Sequence, residues 1–493
     1  MHAPNRHALF LTAALALSAA SCAETPPTAS LRETAARVAT TTPGDAHPKV
    51  TICHTQGRRP RVIDVAFPAL PAHLAHGDHV ALLLVDQAES ETGDGVHFTR
   101  IGDALAEARA IRTARGETER GACRIEIGVA SGTYRGGTEP SADPTLETFP
   151  LVVDVPDVTL SGAFRMGFDA AGRATGVGED GESTVLLPNA PLTTVGQFSY
   201  PLLVVNGRPD GTGAHGTVIR GFVFRSGRAD NDPVAGGLGV LSLRVRELRI
   251  VKNRFEAGFS ESIDLRASSG EVGVNHLGGG GGTCDICLAG PGDYTATGNT
   301  LLAGGIPGIL VTPSVLLPVP ASIEQFTLPA SSTVRAELVN NEVRDHLRRP
   351  VGVGLRVGAV GVGAPNVAGT AIVEARDNLL INNTFGMIVE AAFPVAGTLR
   401  RGDITFVERN NTVIGSCQND LLVSLSRHTT GLGLSNAPYL LNSSYNITLD
   451  HERSWDSVWY SHPAGFGNTL TVNGAEIANG AHHAYDATRT CAP

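Results

Sequence analysis

Residues 248–302, LRIVKNRFEAGFSESIDLRASSGEVGVNHLGGGGGTCDICLAGPGDYTATGNTLL, decide the fold, because they repeat one pattern three times. Asn253, Asn275 and Asn299 each stand two residues before an apolar residue, at spacings of 22 and 24. A second column keeps step: Ile263, Ile286 and Ile309 follow those asparagines by 10, 11 and 10 residues. A fixed period of this size marks stacked structural repeats. Further along, AELVNNEV, VEARDNLL and FVERNNTV carry the same residue as Asn341, Asn378 and Asn411, and Leu421 again follows by 10. Their steps of 42, 37 and 33 fit coils with inserted loops. In SIDLR, DICLA, GILVT and DLLVS the flanking apolar residues point inward and the middle residue outward, as in a strand of period two. The chain therefore reads as all-β, a right-handed parallel β-helix. Asn suits an inner turn because its short amide tolerates left-handed backbone and can bond the next Asn one rung up. Asparagines that merely marked surface turns would not hold a second column in register. A β-sandwich would instead need hairpin turns every 8 to 12 residues, and Asn-Gly or Asp-Gly pairs are sparse.

Working outward from the repeat, residues 98–116, FTRIGDALAEARAIRTARG, place Ile101, Ala104, Leu105, Ala108 and Ile111 at helical spacing, with Gly116 as a stop. RIEIGVASGTY (124–134) and FPLVVDVPDVTLSG (149–162) follow as strands ended by glycine turns. A helix in this place covers the first rung of a solenoid, whose open edge would otherwise pair with other chains. The expected organisation is a signal peptide (1–21), a flexible tether (22–48), a small Cys/His-containing segment (49–95), the β-helix with its N-terminal capping helix (96–475) and a C-terminal tail (476–493).

The N-terminus sets the compartment. Arg6 and His7 precede an apolar run from residue 8 to 20, too short to span a bilayer as a helix, and then small residues and Cys22. Ala19-Ala20-Ser21-Cys22 resembles a bacterial lipobox, although the family prefers Leu where Ala19 stands. The resemblance implies that Cys22 is lipidated and that a lipid anchor is the chain's only membrane attachment. The location it implies is the outer membrane or cell surface, with simple secretion as the alternative. Without Cys22 six cysteines remain, Cys53, Cys123, Cys284, Cys287, Cys417 and Cys491, an even number that suits disulfides in an oxidising compartment. Six allow fifteen connectivities. The pairing we expect is Cys53 with Cys123 at one end and Cys417 with Cys491 at the other, with Cys284 and Cys287 forming a structural rather than a redox pair. The formal net charge of −10, with Lys49 and Lys252 the only lysines, excludes a nucleic-acid partner. High glycine (58) and 5% aromatics suit tight turns and small side chains more than a helical globule.

With these residues in view, the region from Phe98 to about Val472 resembles the pectin-lyase-like superfamily of right-handed β-helices. Its start is similar to a β-helix domain of bacterial surface proteins, and its Asn coils are similar to repeats shared by carbohydrate-binding and sugar-cleaving β-helices. The resemblance implies the fold and does not settle an activity. The segment from Ile52-Cys53-His54 to His73-Leu74-Ala75-His76-Gly77-Asp78 is similar to a short module of secreted bacterial proteins.

Three sets of residues are candidates for chemistry. His54, His73, His76, Asp78 and His79 offer borderline ligands for zinc, copper or a similar ion; the plainer reading is a folded motif whose histidines bond the backbone. Glu337 and Glu374 lie four residues before their asparagines, and Arg376 and Arg409 two before theirs, so the four define a charged stripe. An acid/base pair for cleaving acidic polysaccharide belongs in such a place, with calcium to neutralise the uronate. A solvated row of compensating ion pairs is the plainer reading. Asp230 and Asp232 in one loop, and Asp345, His346 and Arg348 in another, are weaker calcium or site candidates. On the second strand the outward column is read as Ser242, Asp264, Cys287, Leu310, Gly354, Ile388 and Leu422. Being largely apolar, it is expected to be covered by the loop 311–320. These features favour a surface β-helix that presents loops to extracellular polysaccharide or to a surface protein. A polysaccharide lyase or hydrolase is the alternative, and a metal-handling accessory protein the second alternative.

Overall fold

The computed structural model describes residues 49–476 apart from 57–58, 89–94, 176–182, 193, 196–197, 229–235, 280–283, 305–306, 314–330, 348–351, 359–367, 391–401, 418, 425–444, 451–457 and 462–468. The expected signal peptide, Cys22 and the tether lie outside the described residues, as do Asp230, Asp232, Arg348 and Cys491. No helix among the described residues is long and apolar enough to cross a membrane.

Each coil of the repeat gives one strand to each of three sheets. One coil contributes Leu248–Val251, Arg254–Phe255 and Glu261–Arg266, and the next contributes Gly270–Gly273, His276–Leu277 and Ile286–Ala289. Equivalent strands stack in parallel, with Ile250 opposite Val272, Phe255 opposite Leu277 and Ile263 opposite Ile286. Among the described residues the stacks reach fourteen strands in the first, long sheet and ten in each of the other two. The molecule is a right-handed parallel β-helix, the hand that parallel crossovers adopt. One continuous core fills it, including Ile250, Val272, Ile263 and Leu338. Inside the second sheet Phe224 and Phe255 stack with ring centroids 4.5 Å apart.

The repeated asparagines form a ladder in the turn between the first and second sheets. Asn253, Asn275, Asn299, Asn341 and Asn378 each donate a backbone N–H to the side-chain oxygen of the next asparagine, at 2.9 to 3.1 Å. Each Nδ2 also donates to that oxygen, and a further bond reaches a backbone carbonyl of the coil before, as in Asn275 to Ile250 at 2.8 Å. At the end of the row Asn411 donates instead to the Glu408 carboxylate, at 3.2 Å from N and 2.7 Å from Nδ2. The left-handed backbone falls one residue earlier than expected. It is taken by Lys252, Val274, Gly298, Asn340, Asp377 and Asn410, all with φ between 50° and 63°, which frees each Asn to point inward.

Ahead of the repeat, β1 (Lys49–His54) pairs antiparallel with β2 (Arg61–Ala66) and β3 (His79–Val80), joined by the short helix α1 (Leu70–Ala75). Val50, Ile52, Leu70 and Val80 belong to the same core as the solenoid. The long sheet already includes Leu82–Val85, so its first strand lies before the boundary drawn at residue 96. Helix α2 (Ile101–Ala114) lies on the first strands, Leu82–Val85, Ile125–Val129 and Leu151–Val153, and buries Ile101, Ala104, Leu105 and Ala108. Arg112 is buried in addition; its Nε donates to the Pro156 carbonyl at 3.1 Å, and it is ion-paired with Glu117. The helix start is capped from afar: Glu147 accepts from the Ile101 and Gly102 amides at 2.6 and 3.1 Å. Cys53 is bonded to Cys123 and Cys284 to Cys287, while Cys417 is disulfide-bonded and its expected partner Cys491 is outside the described residues.

Candidate functional site

The outer face of the long sheet carries a charged row. Arg249, Glu271, Thr295, Glu337, Glu374 and Val407 occupy one register column on successive coils. Beside it run Asp293, Arg335, Ile372 and Thr405, and on the other side Thr297, Val339, Arg376 and Arg409. Alternation explains the row: Val334, Ala336 and Leu338 are buried inside, so Arg335 and Glu337 must face out. The face forms a shallow groove of about 570 Å³.

All four stripe residues of the sequence thus share this face, in two neighbouring columns rather than one. Glu337 and Glu374 are direct neighbours on strands roughly 4.8 Å apart, an arrangement of like charges that works against sheet stability. Glu374 is 4.0 Å from Arg376, and Arg376 reaches Asp377 at 3.3 Å. Arg249 pairs with Glu271 at 2.8 Å and Arg335 approaches Asp293 at 3.8 Å. Glu337 makes no ion pair among the described residues. Such a row offers guanidinium forks to carboxylates and carboxylates to hydroxyl donors, repeated at the rung spacing. Arg249, Glu271, Asp293 and Arg335 escaped the sequence reading because each enters the groove only through register with a neighbour dozens of residues away.

The third sheet has a different outer face. Its outward column is Leu241, Asp264, Cys287, Leu310, Arg356, Ile388 and Leu422; Ser242 and Gly354 do not belong to it. Leu241 lies 23 residues before Asp264, whereas Asn253 lies 22 before Asn275, so the asparagine step lands one residue off on the core-facing Ser242, and Gly354 lies two residues short of Arg356. Leu241, Asp264, Cys287, Leu310 and Ile388 are buried, so this side is covered; most of the loop 311–320 is outside the described residues. Under the cover, Arg266 donates to Asp264 at 2.6 Å and lies 3.8 Å from Glu261. Burial lowers the Arg266 pKa, but the two carboxylates outweigh it and raise it above the ordinary value. His346 is not a loop ligand: it is fully buried, with Nε2 2.8 Å from Asp285 and Nδ1 2.9 Å from the Arg344 carbonyl.

The N-terminal histidines divide. His54 ends β1, and the β1–β3 register sets Cys53 against His79, which brings Asp78 beside His54. Gly77 at φ 87° turns the chain sharply after α1 and lays Asp78 back over His73, whose carbonyl accepts the Asp78 amide at 3.1 Å. Nδ1 of His54 and Nδ1 of His73 both contact Asp78 Oδ2 at 2.8 Å, and the Thr55 amide donates to Oδ1 at 2.8 Å. Burial would raise the Asp78 pKa, but the bonds from His54, Thr55 and His73 outweigh it and hold the carboxyl well below the usual range. His76 closes the helix end through its backbone and is exposed, while His79 is buried away from the group. Burial, then Arg115 and Arg112, lower the His79 pKa to about 4. Three of the five ligand candidates therefore converge.

No protein-family model matches the chain, and no curated protein matches it. Among solved structures it is similar to the A-module of the mannuronan C-5 epimerase AlgE4 of Azotobacter vinelandii, at 13% identity and TM-score 0.32, covering 69% of this chain and 97% of that one. It is also similar to DFA-IIIase from Arthrobacter chlorophenolicus A6 in complex with GF2, at 12% identity and TM-score 0.35, covering 78% and 86%. Scores of this size establish no residue correspondence.

Proposed function

We propose that this chain is an exported surface protein that binds extracellular polysaccharide along the outer face of the long sheet. The observation that carries the reading is the in-register row of Arg249, Glu271, Glu337 and Glu374, with Arg335 in the column beside it, in one open groove. Its repeat matches the task of holding a linear polymer, because side chains recur at one rung spacing along a straight line. The signal segment, Cys22 and the tether support placement outside the cell on a lipid anchor. Glycan arrays and polysaccharide pull-downs with the mature protein test the reading. Binding to one polysaccharide, weakened at least about tenfold in Arg335→Ala/Glu337→Gln, is the expected outcome. No binding to any polymer, or binding indifferent to these substitutions, overturns it.

A second reading, cleavage of the bound polymer, is favoured by one detail: Glu337 and Glu374 are adjacent and beside Arg376. Two carboxyl groups and a cation suit acid/base work on a sugar ring. Incubation with pectate, alginate and glycosaminoglycans separates the readings. A rise in absorbance from unsaturated uronate, or new reducing ends, lost in Glu337→Gln, establishes an enzyme; a flat trace with retained binding leaves a binding protein.

A further inference from the structure

We infer that the N-terminal segment holds one divalent transition-metal ion of the zinc or copper class through His54, His73 and Asp78. The three ligand atoms are already gathered: two imidazole Nδ1 atoms and one carboxylate oxygen, with both rings 2.8 Å from the same Oδ2. Both nitrogens must donate to touch one carboxylate oxygen, so in the empty state each ring carries its proton on Nδ1. Metal ligation moves that proton to Nε2 in each neutral ring, and no other group is oxidised, reduced or transferred. Zinc bonds of about 2.0 to 2.2 Å set tetrahedral ligand atoms roughly 3.4 Å apart, so each 2.8 Å contact opens by about 0.6 Å.

The surroundings suit a site rather than a passing contact. Asp78 is fixed by the Thr55 amide and hydroxyl at 2.8 and 3.3 Å, which leaves Oδ2 aimed at the rings. A disulfide from Cys53 anchors the strand that ends in His54. The carboxylate side chain is fully buried, but the two imidazole side chains are 32% and 28% exposed, which gives an ion a path from solvent and leaves room for a fourth ligand. Two nitrogen donors and a single oxygen select a borderline ion; calcium requires six to eight oxygens.

Zinc chloride titrated into the mature full-length chain near neutral pH, with elemental analysis of the dialysed product, tests the inference. One ion per chain is expected, retained in His76→Ala and weakened at least about tenfold in His54→Ala/His73→Ala. No zinc uptake by the wild type, full stoichiometry in the double variant, or loss in His76→Ala would each overturn it. If circular dichroism shows the double variant unfolded, cobalt(II) in wild type and in His73→Gln decides. Visible bands of a nitrogen- and oxygen-ligated ion that shift or vanish in His73→Gln support the site; identical bands in both sink it.

Discussion

Asn299 shows how much one side chain carries. It accepts from the Asn275 N and Nδ2 at 3.0 and 3.1 Å and donates to Val272 O and Asn341 Oδ1 at 2.8 and 2.9 Å, all in full burial. Asn299→Ala strands several buried polar groups and should cost about 2–4 kcal/mol, read as a lower urea midpoint. Asn299→Asp, which keeps an acceptor but adds a buried charge, should not recover it. His276 is the clearest titrating group outside the candidate sites. Burial, then Arg254, lower its pKa from 6.5 to about 4, so the folded ring stays neutral where the unfolded one takes a proton. Its contribution is complete above pH 6.5 and disappears as pH falls towards 4, by at most about 3 kcal/mol. Urea midpoints measured between neutral pH and pH 4 should fall less steeply in His276→Leu, and equal slopes would refute the assignment. The asparagines were legible in the sequence because they are one residue type in a fixed place. The left-handed position beside them was not, since Lys252, Val274, Asn340 and Asp377 share no chemistry that announces it.

At the scale of elements, helix α2 was legible from its apolar spacing and its glycine stop, and Gly116 does take φ 66°. Its buried Arg112 and its cap were not, because Pro156 and Glu147 lie 44 and 46 residues away from the groups they satisfy. The histidine cluster was half legible for a similar reason. Helical spacing nominates His73 with His76, whereas the turn at Gly77 and the pairing of β1 with β3 select His73 with His54. Glu147→Ala removes the acceptor of two helix amides and should lower stability by about 1–2 kcal/mol. Removing residues 98–115 goes further, since it takes away the helix that lies on strands Leu82–Val85, Ile125–Val129 and Leu151–Val153. That variant should form soluble aggregates or fail to accumulate. A soluble monomer of full stability, seen by light scattering and denaturation, would end the claim that α2 protects the first coil.

For the whole molecule, stability in a stack is close to a sum over coils and their interfaces, so the ends open first. Cys491→Ser should cost about 2–5 kcal/mol if Cys491 is the partner of Cys417, and hydrogen exchange should then quicken in the last coils while the amides around Asn275 and Asn299 stay protected. Unchanged exchange throughout would show that this staple does not exist. The asparagine ladder adds a constraint on how such a protein lengthens. The asparagine-to-asparagine bonds all run in one direction, from each rung to the next, and Glu408 receives the last of them. A duplicated coil with its own Asn can be spliced in ahead of Glu408 and will find both a donor above and an acceptor below. A coil spliced in after Asn411 finds the donors above it already spent on Glu408. The gene can therefore grow by tandem duplication within the asparagine row, and the carboxylate marks where the row ends, although the long sheet runs on through Tyr445–Asp450 and Thr469–Val472.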